Sequence, residues 1–424
     1  MLLALLLMSV AFVPVVGAID LNTGKQVDQI SESITDDIIT SNYIPVDVAR
    51  EHATVMMLEY VSNGLDDGKW YGATISKEPL LIYDIDGNIL FYQFSVEKNG
   101  EDIGEISTAA SKVLGVSVQQ IGDPVIFDPI KLKIYAENYV AENFNDYETI
   151  STKFVCYSYP KIGIMVELIN PHTKVQQKII FDANDFSIVP ERMPKYEGES
   201  GAWSYYGQIP KNEYDKRILD WDSINEQIND IIKKANSAGI NIFDPVSDEN
   251  IQSLNQIIPY GTKAQEIGQI TPIPTTLQEE SSWCMVATAW IITKYYYPST
   301  TRTQTSIGSY MGVSGDNAPT WDNQFDYYDD SYAIGGLGKT NSVSSYWPGE
   351  PALSYSMIKN EISYNRPLKV GYIRHSRACF GYWKNTAGYY YYEFSDPDTG
   401  TSYWEASPNP QSTSTGYTNY ILVK

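Results

Sequence analysis

The stretch Gln278–Tyr297, QEESSWCMVATAWIITKYYY, decides how the rest of the chain is read. It sets Cys284 where a polar, turn-prone run becomes an apolar one. The apolar density from Met285 to Tyr295 predicts a buried helix, with Ser281 and Ser282 as its N-cap candidates. A thiol at a helix start meets the positive end of the helix dipole and unpaired backbone N–H groups. Both favour the thiolate, the nucleophilic form. Gln278, six residues upstream, carries an amide able to fold back and donate to an oxyanion. Taken alone, the stretch reads better as a core helix with a buried free cysteine. A catalytic reading needs a base from elsewhere.

His375 is the only histidine after Cys284. It lies in a strand-like run, PLKVGYIRHSRACFGYW, followed by Lys384-Asn385-Thr386-Ala387-Gly388 and then YYYYEFSDPDTG, which predicts a hairpin. A turn centred between Asn385 and Thr386 puts Asp396 directly across from His375, where a carboxylate holds an imidazole. The residue types fit one chemistry. A thiolate attacks a carbonyl carbon, an imidazole carries the proton to the leaving amine, and a carboxylate fixes the ring's tautomer. Cys379, on the same strand, reads as core. Arg374 and Arg377 flank the base and are expected either to lower its pKa or to bind a substrate carboxylate. One histidine and dispersed cysteines offer no zinc spacing, so no metal and no organic cofactor is expected.

The chain has 424 residues, enough for two or three cores, and its composition, 43% hydrophobic and 19% charged, is that of a folded protein. A net charge of −22 argues against nucleic acid or an anionic membrane surface as the main partner. From Ala264 onward there are 14 acidic and 10 basic side chains, which leaves −18 for the first 263 residues. The two parts therefore read as separate units. Residues 1–18 are apolar with small residues at their end, the pattern of a secretory signal peptide, with an uncleaved anchor as the alternative. Three cysteines, Cys156, Cys284 and Cys379, make no disulfide framework.

Residues 19–42 read as a disordered leader and 43–200 as two helix-plus-meander units. The first has a helix over Val46–Val61 and strands Leu80–Asp84 and Ile89–Val96, joined through Asp86-Gly87. The second has a helix over Ile130–Phe144 and strands over Lys153–Tyr159, Ile162–Leu168 and Lys174–Phe181. Residues 201–263 read as a helical linker with helices over Asp222–Ala235 and Asn250–Ile258, and 264–424 as the last unit. In that unit Ser306–Tyr346 is irregular, Ala352–Ile362 a helix, and Leu368–Trp383, Tyr389–Ser395 and Asn419–Val423 strands. Three features compete for function. Asp84, Asp86 and Asn88 suggest a calcium loop, but Gly87 sits at the wrong position and strands flank it. Ala333–Thr340, AIGGLGKT, fits a loose phosphate-loop pattern without the strand and helix such a loop needs. His52 and His172 stand alone and read as packing or surface histidines.

With these residues assembled, the last unit resembles papain-like cysteine peptidases, in particular bacteriocin-leader-processing peptidases and papain-like bacterial effector proteases. The resemblance rests on Gln278 before Trp283-Cys284, on Ala287 and Ala289 in a helix ending Lys294-Tyr295-Tyr296, and on Thr303-Gln304-Thr305. It continues through Asn365-Arg366-Pro367, His375, Gly381-Tyr382 and Asp396-Pro397. It implies Cys284 as nucleophile, His375 as general base and acid, Asp396 as its orienter and Gln278 as oxyanion donor. Met285, where the family often has an aromatic residue, and the arginines around His375 depart from the pattern. The first part is similar to the propeptides of streptopain-like proteases and to PepSY-type modules, through Leu81-Ile82-Tyr83-Asp84, Gly87 and Tyr92-Gln93-Phe94. That likeness implies a pro-region that blocks the cleft as an intramolecular inhibitor.

The expectation is an α+β chain, a nucleophile helix packed on a C-terminal antiparallel sheet, preceded by an α+β helix-and-meander pro-region. Its function is expected to be that of an exported, secreted or cell-surface cysteine endopeptidase made as a zymogen and acting on a peptide or protein. The same constellation also serves an amidase or acyl transferase on a cell-wall or peptide-like substrate. A non-catalytic binding protein with a tyrosine-rich contact surface is the third reading.

Overall fold

The computed structural model describes residues 37–124, 127–194, 198–257, 266–315, 317–339, 342–345, 353–372, 375–407 and 419–424. The expected signal segment and most of the expected leader lie outside these residues, as do Arg374 and Thr340.

The helical spacing of apolar residues in VDVAREHATVMMLEYVS forms helix α1 (Val46–Ser62), which begins directly after Pro45 and is buried on nearly every face from His52 to Val61. Its apolar residues Ala53, Met57, Leu58 and Val61 are buried against a meander of strands. These are β1 (Thr74–Ile75), β2 (Leu80–Asp84), β3 (Ile89–Lys98), β4 (Glu101–Ala109) and β5 (Val118–Gly122). The pattern then recurs. Helix α2 (Pro129–Asn143) starts on Asp128, whose carboxylate accepts from the Ile130 and Lys131 amides, with Pro129 in the first turn. Strands β6 (Glu148–Ser158), β7 (Lys161–Ile169), β8 (Gln176–Asp182) and β9 (Ile188–Val189) follow, and the helix packs on β7 and shares a core with β8. The two units join where β2 runs parallel to β6, pairing Tyr83 with Val155.

Helices α3 (Tyr214–Ser237) and α4 (Asp248–Ile257) follow. Helix α3 starts eight residues before the expected point, and its Trp221, Ile224 and Ile228 enter the same core as α1. The remaining strands are β10 (Glu266–Gln269), β11 (Val343–Ser345), β12 (Leu368–Tyr372), β13 (His375–Lys384), β14 (Tyr390–Asp396), β15 (Thr401–Ser407) and β16 (Asn419–Leu422). Helix α5 (Cys284–Tyr296) lies against β12, β13 and β14 and buries Val286, Ala287, Ala289, Ile291 and Ile292. A helix this apolar on nearly every face belongs inside a core.

Two helices cross the region expected to be irregular. Helix α6 (Gln304–Tyr310) carries a capping box in which Thr303 and Ser306 satisfy each other's backbone amides. Helix α7 (Trp321–Asp329) is capped by the Thr320 hydroxyl, which accepts from Asn323 N–H. Helix α8 (Tyr355–Ser363) is capped in the same way by Ser354.

The described strands form one mixed, mostly antiparallel sheet of sixteen strands. Its continuity passes through the antiparallel pair β5–β15, where Trp404 meets Ile121 and Glu405 meets Gln120. Gly122 allows this approach, because a Cβ there would stand 2.6 Å from the Tyr403 backbone. Side chains reinforce the seam. Glu59 Oε1 accepts from the Thr386 amide at 2.6 Å, and the Tyr391 hydroxyl donates to the Val118 carbonyl at 2.9 Å. Apolar residues on both sides, from Met57 to Trp383, belong to one core. The charge break near residue 264 is therefore not a break in the sheet.

The β13–β14 hairpin departs from the expected register. Lys384 pairs with Tyr390, so the turn is centred on Ala387 rather than between Asn385 and Thr386. Asn385 opens the turn: its side chain accepts from Tyr389 N–H at 2.8 Å, and Gly388 takes φ +90°. An irregularity between Cys379 and Gly381 returns one residue, and Ala378 then pairs with Ser395. Asp396 thus lies diagonal to His375, two residues from direct opposition.

Candidate active site

The first residue of α5 is Cys284, and the residue at its N-cap is Trp283. Trp283 makes no side-chain cap; its indole N–H donates to the Gly315 carbonyl at 2.9 Å. The expected serine cap is corrected accordingly. Ser281 instead presents its carbonyl to Gln278 Nε2 at 2.7 Å. The first-turn amides of α5 have no partners within the helix, a consequence of helix geometry.

His375 opens β13, and its Nε2 meets Asp396 Oδ1 at 2.8 Å. Nδ1 has no hydrogen-bond partner among the described residues. The Cys284 thiol adds to the electrostatic surroundings of the same ring, while its own contact is to Met285 Sδ at 3.8 Å. With one nitrogen held by Asp396, the other is left for the thiol. Burial works against the imidazolium, but the Asp396 charge and hydrogen bond outweigh it, Cys284 adds to them, and the pKa rises to about 9. The direction is set by Asp396 and Cys284, whatever the flanking arginines contribute.

Asp396 is itself fixed on several sides. The Tyr403 hydroxyl donates to Oδ2 at 2.6 Å, and the Asp398 amide donates to Oδ1 at 2.8 Å. Burial alone would raise its pKa, yet the facing imidazolium, then Arg377 and Tyr403, hold the carboxyl well below the usual range. Arg377 is wholly buried. Its Nη1 donates to Glu405 Oε2 at 2.5 Å and to the Tyr403 hydroxyl at 2.8 Å, and the guanidinium covers the Phe394 ring at 4.1 Å. It is a scaffold for Tyr403 and Asp396 and does not reach out to a substrate carboxylate. Neither Tyr403 nor Glu405 was singled out from the sequence. The alternation of Tyr403-Trp404-Glu405 after Asp398-Thr399-Gly400 was the signal available for β15.

Gln278 is brought to the same place through its backbone. Its amide donates to the Pro397 carbonyl at 2.8 Å, which ties it to the end of the Asp396 strand. Gln304 steadies the segment from the other side: Nε2 donates to the Leu277 carbonyl at 2.7 Å and Oε1 accepts from Glu279 N–H at 3.0 Å. One N–H of the Gln278 amide is spent on Ser281, and Oε1 is buried with no partner among the described residues.

The site is closed, with Cys284 only 2% exposed and His375 3%. Residues from the second helix-and-meander unit lie over it. Lys161 pairs with Asp398 at 2.8 Å, and Asn184 Nδ2 donates to the Asp398 carbonyl at 2.6 Å. Burial opposes the Lys161 charge, but Asp398 and Asp182, with a further contribution from Cys284, hold its pKa above the usual lysine value. Gly198, at φ +83°, rests on the residue pair ahead of the thiol; a Cβ there would stand 2.6 Å from the Ser282 carbonyl oxygen.

The competing features take structural roles. Asp84 turns inward to accept from Ser204 Oγ at 2.8 Å and from the Tyr206 amide at 2.9 Å. The amides of Gly335 to Lys339 are all spent on chain carbonyls, among them those of Tyr327, Asp330 and Tyr328, which leaves no phosphate cradle among the described residues of the loop. His52 stacks on Trp221 and meets Asn225 at 3.0 Å, and His172 belongs to an exposed turn on Asn170. Cys156 and Cys379 are buried thiols whose pKa values burial pushes up.

No protein-family model matches the chain, and no curated protein matches it.

Proposed function

We propose that the chain is an exported papain-like cysteine endopeptidase made as a zymogen. The observation that carries this reading is that one imidazole, His375, is held by Asp396 and shares its surroundings with Cys284 at the start of an apolar helix. The chain order Gln278, Cys284, His375, Asp396 and the packing of α5 on an antiparallel sheet support the papain-like assignment.

In this mechanism the Cys284 thiolate attacks the carbonyl carbon of a peptide bond, and the C=O electron pair moves onto oxygen. The oxyanion is met by the second N–H of Gln278 and by the Cys284 amide. His375, protonated at Nδ1, gives that proton to the leaving nitrogen as the C–N bond breaks, and an acyl thioester remains. The imidazole then takes a proton from water, the hydroxide forms the new C–O bond, and the C–S bond breaks to free the acid and the thiolate. Asp396 keeps the ring's Nε2–H occupied throughout.

The contacts of Lys161, Asn184 and Gly198 around the site support an inhibitory role for residues before 257. Among the described residues no helix is long and apolar enough to cross a membrane.

The test is hydrolysis of casein by the purified chain, with products identified by mass spectrometry. New free carboxyl and amino termini, first in the chain itself as residues before 257 are removed and then in casein, are expected from the wild type and none from Cys284→Ala. Equal cleavage by both proteins would end the proposal, and transfer of the acyl group to an added amine without hydrolysis would favour an acyl transferase.

A further inference from the structure

A second polar chamber lies at the seam, about 560 Å³ in volume, with walls from α1, the loop after it, β10, β14 and β15. It is apart from Cys284, His375 and Asp396, none of which lines it. Four carboxylates face it, Asp66, Asp67, Asp123 and Glu393, against one cation, Lys69. Lys69 is largely exposed and is drawn to Asp123 at 3.5 Å.

Two of these carboxylates are incompletely satisfied in a way that marks a missing donor. Glu393 is 3% exposed; Gln269 Nε2 donates to its Oε1 at 2.9 Å, while Oε2 has no hydrogen-bond partner among the described residues. Asp66 is 4% exposed; the Trp70 amide donates to its Oδ2 at 2.8 Å, while Oδ1 is likewise without a partner among the described residues. Leaving a buried carboxylate oxygen unpaired costs on the order of 1–3 kcal/mol, so such a pair on one cavity is uncommon unless something fills it. Gly381 makes room for one of them, since a Cβ there would stand 2.8 Å from Glu393 Oε2.

The walls narrow the chemistry of the occupant. The rings of Tyr60 and Trp70 meet at 4.9 Å and line the chamber together with Leu65 and Ile273. Aromatic and aliphatic walls beside carboxylates suit an alkylammonium, whose methylenes and charge both find partners. Among the described residues no three acidic, histidine or cysteine side chains are arranged to hold a metal ion.

We infer that this chamber binds a small organic cation, a primary alkylamine whose ammonium group bridges Glu393 and Asp66 across the seam. Burial, then the charges of Asp67 and Asp123, raise the Glu393 pKa to about 8 in the empty chamber. An ammonium group arriving at pH 7 therefore displaces a proton from Glu393.

The experiment is calorimetric titration of the full chain carrying Cys284→Ala with 1,4-diaminobutane at pH 7. Saturable one-to-one binding is expected, with proton release visible as a difference in heat between phosphate and Tris buffers. Glu393→Gln and Asp66→Asn are each expected to weaken binding at least tenfold, with circular dichroism establishing that each is folded. Butan-1-ol is expected to give no saturable heat. The inference is overturned if diaminobutane gives none, if both variants bind as the parent does, or if calcium chloride binds in its place. Should a variant not fold, proton release on the parent chain decides the matter.

Discussion

Asp396 reaches His375 on a diagonal of the β13–β14 ladder, two residues from direct opposition, and still holds Nε2 at 2.8 Å. The contact survives the offset because Tyr403 and the Asp398 amide aim the carboxylate. The pair also links stability to pH. The folded His375 pKa is raised from 6.5 to about 9, so its contribution is fully present below about 6.5 and is lost as pH rises through 9. The Asp396 pKa is lowered, so its contribution is present above about 3.8 and is lost as pH falls below that. Thermal unfolding measured against pH is expected to show a plateau between these limits. Asp396→Asn is expected to flatten the profile and to cost on the order of 3 kcal/mol within it.

Arg377 and Glu405 form a fully buried ion pair under the site. Removing one partner leaves the other charge in the core, at a cost of about 3–5 kcal/mol. Arg377→Met alone is expected to destabilise the chain by that much in urea unfolding. Arg377→Met combined with Glu405→Gln is expected to cost less than the sum of the two single changes. Additive effects would mean that the pair is not coupled.

Gly198 sits against Ser282 with no space for a side chain. Gly198→Val is expected to push the covering segment off the site and to raise the rate of Cys284 alkylation by iodoacetamide at least fivefold. An unchanged rate would show that this segment does not control access.

Tyr403→Phe removes a hydroxyl that donates to Asp396 and accepts from Arg377. A hydrogen bond to a charged group contributes about 1.5–3 kcal/mol, so casein hydrolysis is expected to fall on the order of tenfold or more. The pH profile is expected to shift with it, since His375 would face a less firmly held carboxylate. A stability loss with an unmoved profile would assign Tyr403 to packing alone.

The parts of the candidate site were legible in the sequence because they carry local signals. Cys284 stands at a composition boundary, and His375 has no rival in the last unit. The diagonal register was not legible, since it depends on Asn385 opening the turn and on an irregularity near Phe380. The two helix-and-meander units were visible through their hydrophobic periodicity. The strands missed include β1, β4 and β5 in the first unit, β9 in the second and β10, β11 and β15 in the last, and β5 and β15 are the pair that joins the halves. Alternation in short strands is a weak signal, and pairing between residues nearly 300 positions apart leaves no mark in either stretch. Arg377 was misplaced for a related reason: its partners Tyr403 and Glu405 lie on the unrecognised strand.

The central claim is that His375 activates Cys284, and the most direct measurement is competitive alkylation of the three cysteines. Cys156, Cys284 and Cys379 are exposed by 1%, 2% and 0%, so access alone gives none of them an advantage. The folded chain is treated with a trace of iodoacetamide at pH 6, and the labelled peptides are quantified by mass spectrometry. Cys284 is expected to react at least tenfold faster than the other two, and His375→Ala to abolish that preference. Equal labelling of all three cysteines, or a Cys284 preference that survives His375→Ala, would contradict it.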